Sequence, residues 1–248
     1  MSPSPKVDLT AIARLDGVVM RLAEQQGAQA TRRITESLEE QAWLEDFLET
    51  SQPDLPDAQE YPVRHRLLLT PFRYPRRYGS RFSKPWGRGL FYGSRSRLGC
   101  LLEGAYDELV FQNGPEQPFP GRSAMRKNLF HVNVRTERGL QLQQQRSKAL
   151  QRCLRDPVDT RCAQATGHRM REAGIEAFEY HSARSPDDVV QFGAISCCVF
   201  QSTPFDQVDV QVESHTEDVV FRCLDDNSVW HFQRRQFEVN GVFPEPCI

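Results

Sequence analysis

Between Tyr61 and Leu102 the chain carries no Asp or Glu, yet it holds nine Arg, one Lys and eight aromatic residues. So many like charges repel one another unless an anion joins them, so this segment cannot simply be folded away as core. Cations interleaved with aromatics read instead as the wall of a pocket for an anionic, ring-bearing ligand. The first acid to follow is Glu103, within the run CLLEGAY, where a carboxylate would face that wall.

The charge around this block sharpens the constraint. Residues 1–60 sum to −7, residues 61–102 to +10 and residues 103–248 to −5, leaving a whole-chain charge of −2. A basic island in an acidic chain points to a local anion site rather than a coat for nucleic acid. At 248 residues, 39% apolar and 26% charged, the chain is long enough to bury a sizeable core and reads as one domain with appendages. Its seven cysteines are odd in number and include no CxxC spacing, and no signal-peptide pattern precedes them. They read as reduced thiols of a cytoplasmic protein. No apolar run approaches the ~18 residues of a membrane helix.

Periodicity predicts helices from about Asp8 to Thr50. Leu15, Val18, Val19 and Leu22 form one apolar stripe, and Ile34, Leu38, Ala42, Trp43, Phe47 and Leu48 form another. The proline-bearing run SQPDLPD then reads as a linker. Short strands are predicted at Leu67–Thr70 and Gly89–Gly93, a helix at Leu98–Phe111, and a strand at Asn128–Arg135. A helix over Val158–Ala173 ends at Gly174, strands follow at Ile175–Tyr180 and Ala194–Phe200, and three more lie at 207–213, 218–224 and 228–233. The fold class is therefore α+β, with a helical N-terminal piece and a predominantly β body.

Several residues in these elements could carry chemistry, each with a plainer alternative. Arg73 and Tyr74 could grip a phosphate and cover a ring, or sit in a solvated basic loop. Tyr92 could stack on a base or nicotinamide, or be a core aromatic. Glu103, eleven residues after Tyr92, could stabilise an oxocarbenium ion, or satisfy a helix dipole. Ser182, in YHSAR, could orient a ribose or phosphate, or belong to a polar turn. Other chemistries lack their motifs: there is no phosphate loop, no complete dinucleotide fingerprint, no HExxH or paired metal spacing, and no GxSxG.

Taken as an ordered set, these runs resemble the RES-domain family, toxins of bacterial type II toxin–antitoxin pairs. The resemblance rests on LLLTPFRYPRRYGSRF, GLFYGSRSRLGCLLEGAY and GIEAFEYHSAR followed by AISCCVF, over roughly residues 60 to 240. It implies a catalytic domain over 59–248 with an ADP-ribosyltransferase-like β core and flanking helices, preceded by a helical extension and linker over 1–58. It also implies NAD as substrate, without a metal, and cleavage of the nicotinamide–ribose bond by a glycohydrolase or phosphorylase. ADP-ribosylation of a host protein is the alternative within the family, and a nucleic-acid-binding module using residues 61–102 is the alternative outside it. Carried over as catalytic are Glu103, Arg73 and Tyr92, and as substrate-binding Tyr74, Arg81 and Ser182. Phe82 stands after Arg81 where many members have Trp. The expected partner is a cognate antitoxin of helix-turn-helix type that blocks the cleft and supplies the only link to nucleic acid; a homodimer is a further expectation, and Pro115–Arg126 reads as a lid or interface.

Overall fold

The computed structural model describes residues 5–24, 35–50, 62–73, 79–114 and 123–244. Tyr74, the SQPDLPD linker and most of the 115–126 segment lie outside them. Among the described residues there are five α-helices, and eight strands form one mixed sheet, the expected α+β class.

The sheet is organised by one long strand. Strand β3 (Ser123–Gln141) pairs antiparallel with β1 (Ile12–Glu24) from Ile12↔Leu140 to Glu24↔Lys127. Its C-terminal end pairs in parallel with β4 (Ala177–His181), which leads antiparallel through β5 (Val190–Ala194) to β2 (Phe91–Ser94). β2 returns to β1 at Met20↔Ser94, so β1, β3, β4, β5 and β2 close into a ring of strands. The N-terminal half of β3 carries the remaining meander, β6 (Phe205–Ser214), β7 (Asp218–Cys223) and β8 (Val229–Gln233). The one parallel pairing needs a crossover, supplied by α4 (Lys148–Leu154) and α5 (Arg161–Glu172).

β1 corrects the helix predicted at the N-terminus. Leu15 and Val19 are buried in the cluster inside the ring, with Ala23 packed against it, while Met20 and Leu22 pack on a second cluster under α3 (Arg97–Asn113). A strand with apolar groups on both faces loses its two-residue alternation, and its residues then mimic a helical stripe. Among the described residues of the predicted helical extension, α1 (Leu38–Thr50) alone is helical. The reverse correction holds for Leu67–Thr70, which lies in α2 (Arg66–Arg73), where Leu68, Leu69 and Phe72 are buried at helical spacing. The apolar run Ala194–Phe200 is likewise no strand beyond Ala194: Cys197–Val199 form a 3-10 turn whose Cys197 and Val199 side chains join the same cluster.

The reading of all cysteines as thiols is also corrected. Cys153 and Cys162 form a disulfide between α4 and α5, with Cα atoms 6.0 Å apart, while Cys100, Cys197, Cys198 and Cys223 are free. No helix among the described residues is long and apolar enough to cross a membrane.

Candidate active site

The site begins where β2 runs directly into α3. Ser96 caps that helix by accepting from Gly99 N at 3.1 Å. A Cβ at Gly99 would stand 2.0 Å from Ser94 Oγ, so only glycine lets strand and helix meet this closely. The tight junction brings Tyr92, on the strand, and Glu103, within the helix, to one cleft of about 490 Å³, a size in the range of small-molecule sites. α3 is held in place by Leu101 and Leu109, both fully buried, each contributing roughly 1.5–3 kcal/mol.

Ser182, at the end of β4, is fully buried behind Glu103. Its Oγ accepts from Arg184 N at 3.0 Å, and its hydroxyl donates to Glu103 Oε1 at 2.6 Å. The carboxylate is thereby fixed by a short, charge-assisted hydrogen bond from a group with no rotational freedom left. Tyr92 lines the same cleft, and its hydroxyl contacts Ser80 Oγ at 2.8 Å and accepts from Phe82 N at 3.2 Å. Tyr92 thus braces the loop that carries Arg81. Arg81 lines the cleft, and its Nη1 donates to the carbonyls of Leu154 and Asp156 at 3.2 and 2.9 Å. Its Nη2 is buried without a hydrogen-bond partner among the described residues.

Of the expected site residues, the structure therefore brings Glu103, Tyr92, Arg81 and Ser182 together. Arg73 closes α2 and is not among the residues lining the cleft, and Tyr74 lies outside the described residues.

The cleft also contains residues that the sequence did not single out. Arg21 enters from β1, donates to Tyr92 O at 3.1 Å and stands 4.7 Å over the Phe91 ring. Arg184 lies 3.4 Å over the Tyr106 ring and donates to Pro157 O at 3.0 Å. Burial lowers the pKa of its guanidinium, an effect that Tyr106 and Glu103 oppose. Tyr180 is buried beside Glu103 and Tyr92; burial first, then those neighbours, raise its pKa well above the ordinary phenol range, so it stays protonated. Lys127 lines the cleft in a 2.5 Å pair with Glu108. Cys100 lines it too, but burial pushes its thiol up to about 12, which leaves no thiolate at neutral pH. Arg184 was within reach of sequence reading, two residues after Ser182 in the YHSAR run. Arg21 gave no signal, because it stands outside the acid-free block.

Among the described residues no three His, Cys, Asp or Glu side chains are grouped so as to hold a metal ion.

The class these features define is a mixed α+β protein whose cleft presents several cations and aromatic rings around the clamped carboxylate of Glu103, with Asp107 also on its lining. A sequence model of the RES domain matches residues 57–221, two thirds of the chain, and the chain belongs to that family. The RES domain family is associated with NAD-related toxin function. No curated protein matches the chain.

Proposed function

We propose that this protein is an NAD-degrading toxin that breaks the nicotinamide–ribose bond, on a β core of ADP-ribosyltransferase type. The observation that carries the reading is the Ser182–Glu103 hydrogen bond of 2.6 Å inside a cleft lined by Arg21, Arg81 and Arg184. NAD brings a pyrophosphate and two rings, which cations and aromatics can hold. Arg81, which lines the cleft, carries a guanidinium suited to a phosphate oxygen. Tyr92 lines the cleft beside the carboxylate, while the Tyr106 ring is already covered by Arg184 and Phe243.

When the N-glycosidic bond breaks, its electron pair leaves with nicotinamide, which becomes neutral, and positive charge develops on the ribose. A carboxylate held in advance next to that carbon stabilises the charge without having to reorganise. Water or phosphate then adds at the same carbon and gives up a proton. The toxin reading carries a neutralising antitoxin with it, one that closes the cleft with acidic groups complementary to its arginines. Co-expression of the neighbouring open reading frame should restore growth to cells making the protein.

The nucleic-acid reading finds less support. Among the described cations of the 61–102 block Arg81 alone lines the cleft, while Arg95 pairs with Glu179 and Arg97 with Asp225 and Asp226.

Incubation of the purified protein with labelled NAD tests the proposal. Free nicotinamide with ADP-ribose, or with its phosphorylated form, is the expected outcome. Label fixed on a protein in a lysate would turn the reading to ADP-ribosyl transfer, and intact NAD would refute both.

A further inference from the structure

The disulfide lies outside the cleft but is joined to it by carbonyl groups. The connector between α4 and α5, residues 155–160, runs between its two cysteines. The carbonyls of Leu154 and Asp156 hold Arg81, and the carbonyl of Pro157 holds Arg184. The connector also reaches outward. Arg155 donates to Asp188 at 2.7 Å and to the carbonyls of Ser185, Pro186 and Asp187, so it fixes the loop that follows Arg184. α5, which carries Cys162, supports the other arginine loop: Gln164 Nε2 donates to Ser80 O at 3.2 Å, and a Cβ at Gly167 would stand 1.9 Å from Phe82 O. Both half-buried cysteines therefore flank a segment clamped to the two loops that present cleft cations.

We propose that the Cys153–Cys162 connector is the positioning element for Arg81 and Arg184, and that a dithiol reductant, by opening the disulfide, weakens the cleft's hold on a diphosphate. The step balances. The dithiol delivers two electrons and two protons, the S–S bond breaks, two S–H bonds form, and the reductant closes into its own disulfide. Once untethered, the ends of α4 and α5 separate more freely, the carbonyls lose their fixed geometry, and the guanidinium forks lose their preorganisation. Glu103 is held by Ser182 rather than by the connector. Under the proposed NAD chemistry, the change therefore falls on KM more than on kcat.

The test uses the full chain with and without dithiothreitol. Amide hydrogen exchange is followed over residues 79–83, 154–160 and 182–185, and inorganic pyrophosphate binding is measured by calorimetry. Reduction should speed exchange in all three segments and weaken pyrophosphate binding on the order of fivefold or more. The Cys153→Ser, Cys162→Ser double variant should match the reduced protein and ignore the reductant. Opened cysteines, shown by alkylation, with unchanged exchange or unchanged pyrophosphate affinity overturn the proposal. So do two free thiols in unreduced protein, no pyrophosphate binding in either state, or an NAD effect confined to kcat. Exchange is read without turnover, so a protein inactive on NAD but redox-responsive in exchange and pyrophosphate binding would sink the proposed function and leave this inference standing.

Discussion

At the scale of the residue, the chemistry rests on how one carboxylate is held. Ser182 has a single hydroxyl proton, and with Arg184 N donating to its oxygen that proton is committed to Glu103. Ser182→Ala removes a hydrogen bond to a charged group, worth about 1.5–3 kcal/mol. The expected result is a fall in kcat of about tenfold or more, with KM little changed, read from steady-state NAD consumption. Cys100 should resist alkylation in the native protein at neutral pH, since burial holds its thiol near 12; rapid labelling there would contradict the enclosed α3 interface. Glu103 and Tyr92 were legible in the sequence because they lie close together on one strand–helix unit, whereas Arg81 was named through the family resemblance. Ser182 was readable in the YHSAR run as a ribose- or phosphate-orienting group or a polar turn, but its bond to Glu103 was not, because β4 delivers it from far along the chain. Arg73 carried the same charge signal as Arg81 but closes a helix whose apolar side faces the core.

At the scale of the element, the cleft depends on two close approaches that leave little slack. α5 crosses the Phe82 backbone at Gly167. Gly167→Ala should cost about 1–3 kcal/mol through overpacking and weaken substrate binding by shifting Arg81, as seen in denaturant midpoint and KM together. α3 is tied to β3 by Glu108 and Lys127, whose side chains are 6% and 10% exposed. Lys127→Ala strands Glu108 in that setting and should destabilise the protein by about 3–5 kcal/mol, measurable by urea unfolding; a near-neutral effect would mean that the pair is solvated. The helices α3 and α5 and the three C-terminal strands were readable because each has one apolar face and a regular period. β1, α2 and the Cys197–Val199 turn were not, since apolar groups on two faces, or in a buried turn, carry no period that local sequence can reveal.

At the scale of the molecule, the uneven charge of the chain is met in part by tertiary contacts. Arg95 and Arg97 find acids from β4 and from the β7–β8 turn, so among the described residues what first reads as one anion-binding block contributes a single cation, Arg81, to the cleft. Arg21 and Arg184 come from outside it. β1 stands before the matched family segment, yet it closes the ring of strands and delivers Arg21. A chain beginning at residue 35 should therefore fail to fold cooperatively, and a sharp thermal transition in that fragment would show that the ring stands without it. The central claim is that Glu103 stabilises charge on the ribose of NAD. The most direct test is the rate of NAD loss with wild-type protein and with Glu103→Gln, whose folding is checked by an unchanged unfolding midpoint. The account predicts steady NAD consumption by the wild type and a loss of on the order of 10² or more in the variant; a folded Glu103→Gln protein that consumes NAD at the wild-type rate would contradict it.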